Sequence, residues 1–177
     1  MENNFEAFKN KTRVLVLSTQ PSVSKLLIHV LEFNDKEFDF YLENGNAKNS
    51  YNDFVILETS DLDKAAKFQP NIVLITAEIP DSSISKVLNN VIAGGVLVHH
   101  TNISETVDNA GNFFRKLPFE NALYQKSGNS FILQTSLGAI PISNEAILQN
   151  IEGLQLLSQQ FGILEENFYE PVMNFEF

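Results

Sequence analysis

The sequence predicts an α/β fold: a mostly parallel sheet with helices on both faces and a small antiparallel extension. Three observations carry that expectation. Short β-branched runs that are apolar throughout, such as Val14-Leu15-Val16-Leu17 and Phe54-Val55-Ile56-Leu57, alternate with stretches whose apolar residues recur at helical spacing. Strands that are apolar on every residue are buried on both faces, which is the mark of a parallel sheet. Beyond about residue 120 the pattern changes to short strands punctuated by a hairpin signal, Gly128-Asn129.

The first strand covers Val14–Leu17, and Ser18-Thr19-Gln20-Pro21 turns into a helix with proline in its first turn, where the missing N–H is not needed. Val23, Leu26, Leu27, Val30 and Leu31 mark the core side of that helix, and Asn34-Asp35 ends it. Phe38–Leu42 is a second strand, and residues 43–52, rich in Asn, Gly and Ser, form a loop. Phe54–Leu57 is the third strand, Leu62–Phe68 one or two helical turns, and Ile72–Ile75 the fourth strand. Ser82–Ile92 is expected to be helical up to Gly94-Gly95, with a fifth strand over Val96–His99 and an amphipathic helix over Glu105–Leu117. Ala122–Gln125, Ser130–Gln134 and Ala139–Ile142 make the antiparallel extension. A long helix over Glu145–Phe161 stops at Gly162, and a last helix over Glu165–Phe175 is kinked or stopped by Pro171.

The 177 residues suit one domain, with residues 1–12 as a flexible lead-in, and composition is ordinary for a globular chain at 44% hydrophobic and 19% charged. There is no cysteine, which excludes disulfides, thiolate metal sites and a thiol nucleophile. The formal net charge of -10, from 22 acids against 12 Lys and Arg, offers no basic face for nucleic acid or an anionic membrane. No apolar stretch is long enough to span a bilayer, and the N-terminus lacks a signal-peptide pattern, so a cytoplasmic location is expected. His99 and His100 are neighbours on a strand and point to opposite faces, which makes poor chelation geometry. His29 lies within the first helix as a packed or rim residue. No G-x-S-x-G turn is present, and Gly94-Gly95 follows a helix rather than a strand, the wrong order for a dinucleotide loop. Among the 15 phenylalanines, Phe113, Phe114, Phe175 and Phe177 are candidates for an apolar patch through which the chain self-associates.

Several phrases, in order, resemble the central domain of Mur ligases, the enzymes that build peptidoglycan precursors. The subgroup that joins L-alanine or a recycled tripeptide to UDP-N-acetylmuramate is the best match. LLIHVLEF followed by FDFYL resembles the family's first helix and next strand. FVILETSD resembles the strand that ends in Glu, a small residue and two acids. PNIVLITAEIPDS is similar to "PNIA-ITGI--DH", GGVLVHH to "GGTLIYN", and LQNIEGLQLLSQQFGILEENFYEPVMNF to "LQN--AA---C-ELGI-EE-FYEA---F". The matches run from about Val14 to Phe175 and cover the central domain only.

That resemblance implies a three-layer, P-loop-like fold and a family chemistry in which ATP and magnesium turn a carboxylate into an acyl phosphate. Such chemistry needs a Gly-rich loop whose N–H groups cradle phosphate, a Lys, and a hydroxyl on magnesium. The family loop "GTHGKTT" corresponds here to Ser18-Thr19-Gln20-Pro21-Ser22-Val23-Ser24, which has no glycine and no lysine. Pro21 removes one donor, and Lys25 lies further along the helix. The resemblance aligns Glu58 and Asp61 with the magnesium-associated acids, with Ser60 in place of the first of the trailing pair. Asp81 aligns with the Asp of "DH", Ser82 replacing the His. Asn150 matches the Asn after "LQ", and the pair that contacts adenine in the family is here Ala146-Ile147. Ser18, Thr19, Gln20, Pro21 and Ser22, with Lys25 and Asn150, are therefore the vestigial nucleotide-site candidates, and Glu58, Asp61 and Asp81 the metal candidates. No catalytic residue is assigned. For Glu58 and Asp61 the favoured alternative is a strand end whose acids suit the following helix N-terminus.

Three functions compete. The favoured one is a non-catalytic Mur-ligase-like domain that binds a Mur ligase or a peptidoglycan precursor. The second is a residual ATP- and magnesium-dependent amide ligase or nucleotide-binding subunit, using Lys25, Glu58, Asp61 and Asp81 with domains from another chain. The third is an α/β scaffold that self-associates through aromatic residues.

Overall fold

The computed structural model describes residues 5–177. Two compact units emerge, one from the residues up to Thr19 with Glu37–Pro118, the other from Gln20–Lys36 with Phe119–Phe177.

The first unit is built on a seven-stranded sheet: β1 (Thr12–Leu17), β2 (Asp39–Tyr41), β3 (Ala47–Lys48), β4 (Phe54–Thr59), β5 (Ile72–Ile75), β6 (Val96–His100) and β7 (Arg115–Phe119). Their order is β3-β2-β4-β1-β5-β6-β7. β1 lies between β4 and β5 and is parallel to both, β2 is parallel to β4, and β5 to β6. The alternation of side chains explains the unbroken apolar runs. Leu15, Leu17, Val55, Leu57, Val73, Ile75 and Leu97 share a core with Phe68, Ile84, Val87 and Val107 from the helices. Val14, Val16, Ile56, Leu74 and Val98 point the other way and are equally buried. Each such side chain is worth ~1.5–3 kcal/mol when fully buried.

The helices of this unit are α2 (Leu62–Phe68), α3 (Ser85–Leu88) and α4 (Ser104–Asp108). Two of them correct the expected helices. Ser82–Ile92 holds only a 3₁₀ turn, Asp81–Ser83, and the short α3. Its last residues find partners outside a helix: the Ile92 N–H donates to Pro70 O, and Gly95 N–H to Ile92 O. The expected helix over Glu105–Leu117 stops at Asp108, and its second half is the strand β7. Asn112 forces that exit, because its side-chain amide faces the carbonyls of Leu88, Asn89 and Val91 at 3.2, 2.8 and 3.1 Å. Phe114, at helical spacing from Val107, reaches the same core from extended chain. The loop expected over 43–52 contains β3, which pairs antiparallel with β2.

Of the expected flexible lead-in, residues 1–4 lie outside the described residues. Phe5–Phe8 form a 3₁₀ turn, and the rings of Phe5 and Phe8 pack on Phe68 and Tyr41 at centroid distances of 5.2 and 5.4 Å. Asp39, at the start of β2, is fully buried. Its carboxylate accepts from Lys11 Nζ (2.9 Å), Ser50 N (2.8 Å), Asn52 N (3.2 Å) and Asn52 Nδ2 (3.1 Å).

The second unit joins α1 (Pro21–Phe33), α5 (Glu145–Gln159) and α6 (Glu165–Met173) to an antiparallel sheet ordered β10-β9-β8, from β8 (Tyr124–Ser127), β9 (Ser130–Thr135) and β10 (Gly138–Ile142). α1 packs on α5 and α6 through Val23, Leu26, Leu27, Val30 and Leu31, all buried, as are Ile147, Leu148, Ile151, Leu154 and Leu157 of α5. Asn144 caps α5, its side chain accepting from Ala146 N at 3.0 Å. Gly162, with φ of 74°, follows the end of α5. Gly153 makes room for Phe119, since a Cβ there would lie 2.6 Å from the ring. α6 ends at Met173, two residues after Pro171.

Candidate functional site

In an open α/β sheet, ligands settle beyond the carboxyl ends of the strands, where the chain switches from winding one way to winding the other. Here β1 leads to β2 on one side, whereas β4 leads to β5 on the other. The switch point therefore lies between the ends of β1 and β5. Leu17 pairs with Ile75 there, and the next residues along each strand are Ser18 and Thr76.

A carboxylate sits at that point. Glu78 Oε1 accepts from Ser18 Oγ at 2.8 Å and from the Thr19 N–H at 3.0 Å. The Thr76 hydroxyl, buried, lies 2.6 Å from the same oxygen and 2.9 Å from Leu17 O, so its one proton is shared between two acceptors. The turn that presents Glu78 is held at both ends. The Ile79 N–H donates to Thr76 O at 3.1 Å, Ile79 is buried, and the Asn102 amide donates to Ala77 O at 3.0 Å. Sequence reasoning missed Glu78, although the run Thr76-Ala77-Glu78 directly after a buried strand was a visible signal for an acid at a strand end.

Several backbone donors after the β1 end already have acceptors. Ser18 N–H donates to Thr59 O, Thr19 N–H to Glu78, and Val23 N–H to Gln20 O. Pro21 opens α1 and has no N–H, and Gln20, at the N-cap with φ of -111°, gives no side-chain cap bond. Ser22 is half-buried in the first turn of α1, and Lys25 is exposed one turn further along. Asn150 is buried within α5, its amide donating to Ala146 O at 2.9 Å.

Of the acids aligned with metal ligands, Glu58 and Asp61 are engaged locally. Glu58, at the end of β4, is 4% exposed and accepts from Glu43 N at 3.2 Å. Glu43 in turn accepts from Ser60 N and Oγ. Asp61 caps α2, its Oδ1 accepting from Asp63 N at 2.8 Å and Lys64 N at 3.0 Å. Asp81 is exposed in its 3₁₀ turn. Among the described residues no three His, Asp or Glu side chains gather as a metal-holding group, so Glu58, Asp61 and Asp81 do not converge.

The histidines take structural positions. His99 is buried, its Nδ1 3.0 Å from His100 O, and desolvation holds its pKa below the ordinary imidazole value. The His100 Nδ1 accepts from Asn102 N. His29 is half-buried, with Nε2 3.1 Å from Pro171 O and its ring against Phe175. Of the four phenylalanines named for an apolar patch, Phe114 is in the core and Phe113 is exposed, while Phe175 and Phe177 meet edge to face. A recess of about 400 Å³ lined by Ser85, Leu88, Asn89, Thr106, Asn109 and Ala110 includes none of the candidate site residues. No helix among the described residues is long and apolar enough to cross a membrane.

No protein-family model and no curated protein matches the chain by sequence. Solved structures do match in three dimensions. One is MurF from Acinetobacter baumannii, at a TM-score of 0.70 and 12% identity over 98% of this chain and 48% of that one. The fold is that of the Mur ligases. UDP-N-acetylmuramate:L-alanyl-gamma-D-glutamyl-meso-diaminopimelate ligase from Neisseria meningitides matches at 0.69 and 13%, over 99% of this chain and 68% of that one. MurF from Thermotoga maritima, solved in complex with ADP, matches at 0.63 and 15%, over 89% and 48%. The chain thus spans about half the length of the MurF proteins it resembles, and the Mur-ligase likeness that the sequence phrases suggested extends through the whole fold.

Proposed function

We propose that this chain is a non-catalytic Mur-ligase-like domain that has lost the ATP phosphate grip and serves a binding or regulatory role in peptidoglycan-precursor synthesis. The observation that carries this reading is the occupancy of the switch-point donors. Phosphoryl transfer depends on positioned N–H groups and cations around the phosphates. Here the Ser18, Thr19 and Val23 amides have other acceptors, Pro21 has none to give, and no glycine lets the backbone approach a phosphate. A carboxylate stands among the donors. Two unit charges 4 Å apart repel by on the order of 4 kcal/mol at the effective dielectric of a protein surface, which works against any phosphate placed there. The residues present do not fit a magnesium–triphosphate group.

Calorimetry with ATP and magnesium at millimolar concentration tests this. No saturable heat is expected, and magnesium-dependent ATP binding overturns the reading. The partner classes are a Mur ligase or a peptidoglycan precursor. A thermal-shift series with UDP-N-acetylmuramate and its peptide derivatives is expected to raise the melting temperature where ATP does not.

A second reading is favoured by the ADP complex of the Thermotoga maritima relative. In it the chain is an ATP- and magnesium-dependent amide ligase or nucleotide subunit that takes its other domains from a second chain, with Lys25 as a displaced phosphate ligand and Glu58, Asp61 and Asp81 holding metal. It predicts phosphate release with UDP-N-acetylmuramate and L-alanine that falls in Lys25→Ala and Glu58→Gln.

A further inference from the structure

The donors around Glu78 have the makings of an anion site that the chain fills with its own side chain. Ser18 Oγ, the Thr19 N–H and the Thr76 hydroxyl converge on one oxygen, at 2.8, 3.0 and 2.6 Å. Ser18 and Thr76 are each 1% exposed, and the Thr76 hydroxyl is also held by Leu17 O at 2.9 Å. The three groups come from two strand ends held in register by the Leu17–Ile75 pair and by the Thr76 N–H to Leu17 O bond. The backbone that carries them is therefore fixed by strand pairing rather than by Glu78. The acid that meets them arrives on a pinned turn rather than a loose one, since Ile79 and Asn102 fix the backbone on either side of it.

We propose that the Glu78 carboxylate is an internal anion that permanently closes the switch-point crevice, and that removing it turns the crevice into a binding site for inorganic phosphate. This rests on the reading of the chain as a domain without a phosphate grip, and it adds the residue that enforces the exclusion. A free phosphate oxygen takes the place of Oε1, accepting from the same three donors. The substituted chain carries one negative charge fewer at the point of contact.

The test is phosphate titration followed by the Thr19 amide signal in proton–nitrogen correlation spectra, for the unaltered chain and for Glu78→Ala and Glu78→Gln. Far-UV circular dichroism and melting curves establish that each variant is folded. The Thr19 signal of the unaltered chain is expected to stay in place, while Glu78→Ala moves it saturably with at least tenfold tighter phosphate binding. Glu78→Gln is expected to fall between the two, because its amide keeps the shape without the charge. Ser18→Ala added to Glu78→Ala is expected to weaken the gained binding again. A folded Glu78→Ala or Glu78→Gln that binds phosphate no better than the unaltered chain overturns the proposal and leaves the reading of the fold as non-catalytic standing. A saturable Thr19 shift in the unaltered chain overturns the proposal even if neither variant folds. Magnesium-dependent ATP binding by the unaltered chain instead overturns the non-catalytic reading itself.

Discussion

Asp39 is the most heavily bonded buried charge described in the first unit, and Asp39→Asn measures what that arrangement contributes. The carboxylate is fully buried and meets four donor groups, two on each oxygen. Asparagine keeps the shape but offers one carbonyl oxygen and one NH₂. Whichever way the amide is turned, two of the four donors then face a donor instead of an acceptor. Lys11, whose side chain is 17% exposed, is also left without its counter-charge. Removing one partner from a buried ion pair costs ~3–5 kcal/mol, a large share of the ~5–15 kcal/mol that holds a typical domain together. Urea denaturation at neutral pH should therefore show a loss of that size. The acid limb gives a second readout. Burial alone would raise the Asp39 pKa, but the Lys11 ammonium and the Ser50 and Asn52 N–H groups outweigh it and hold it below the ordinary carboxylate value. A folded pKa lower than the unfolded one contributes stability that is complete above the unfolded value of about 3.9 and disappears as pH falls through the folded value. Unaltered protein should thus lose stability in that acid window more steeply than Asp39→Asn. A cost under about 1 kcal/mol, or parallel acid limbs, would refute the reasoning.

Gly153→Ala should destabilise the second unit by ~1–2 kcal/mol. A Cβ would lie 2.6 to 2.9 Å from three atoms of the buried Phe119 ring, and ~1–3 kcal/mol of overpacking exceeds the gain of ~1 kcal/mol from replacing a helical glycine. Thermal melts check it, and Phe119→Leu in the same background should recover part of the loss. The Tyr169 phenol should titrate at about 12, raised first by burial and then by Glu165 and Glu152. Stability tied to it is complete below the unfolded phenol value of about 10 and is lost as pH rises toward 12. Phenolate absorbance should therefore show a late transition that Tyr169→Phe removes.

The fold was legible where one signal was strong enough to decide. The apolar runs at Val14–Leu17, Phe54–Leu57 and Ile72–Ile75 could only be buried strands, and each is one. The long amphipathic faces of α1 and α5 were equally plain. The misreadings at 82–92 and 105–117 share a cause. Helical spacing of apolar residues there reports a common core, and Val87, Val107 and Phe114 do meet in it, but short helix, turn and strand reach that core as well as a long helix does. What decided between them was a side-chain amide, Asn112, bonding to carbonyls more than twenty residues away. A periodicity count cannot see such a bond. The candidate site divides in the same way. The missing glycines and lysine were visible as text, whereas the role of Glu78 depends on two strand ends that are sixty residues apart in sequence.

The absent glycines and the present carboxylate have different physical consequences. A loop without glycine loses attraction, because fewer N–H groups can approach a phosphate. A carboxylate on the remaining donors adds repulsion to an incoming anion and itself accepts from the buried Ser18 and Thr76 hydroxyls. Without Glu78 the Ser18 hydroxyl and the Thr19 amide would lose this acceptor, whereas the Thr76 hydroxyl would keep Leu17 O at 2.9 Å. Glu78 supplies that acceptor from within the chain itself. In this Mur-ligase fold the switch point is thus bonded from within the chain, its buried hydroxyls meeting an intramolecular carboxylate.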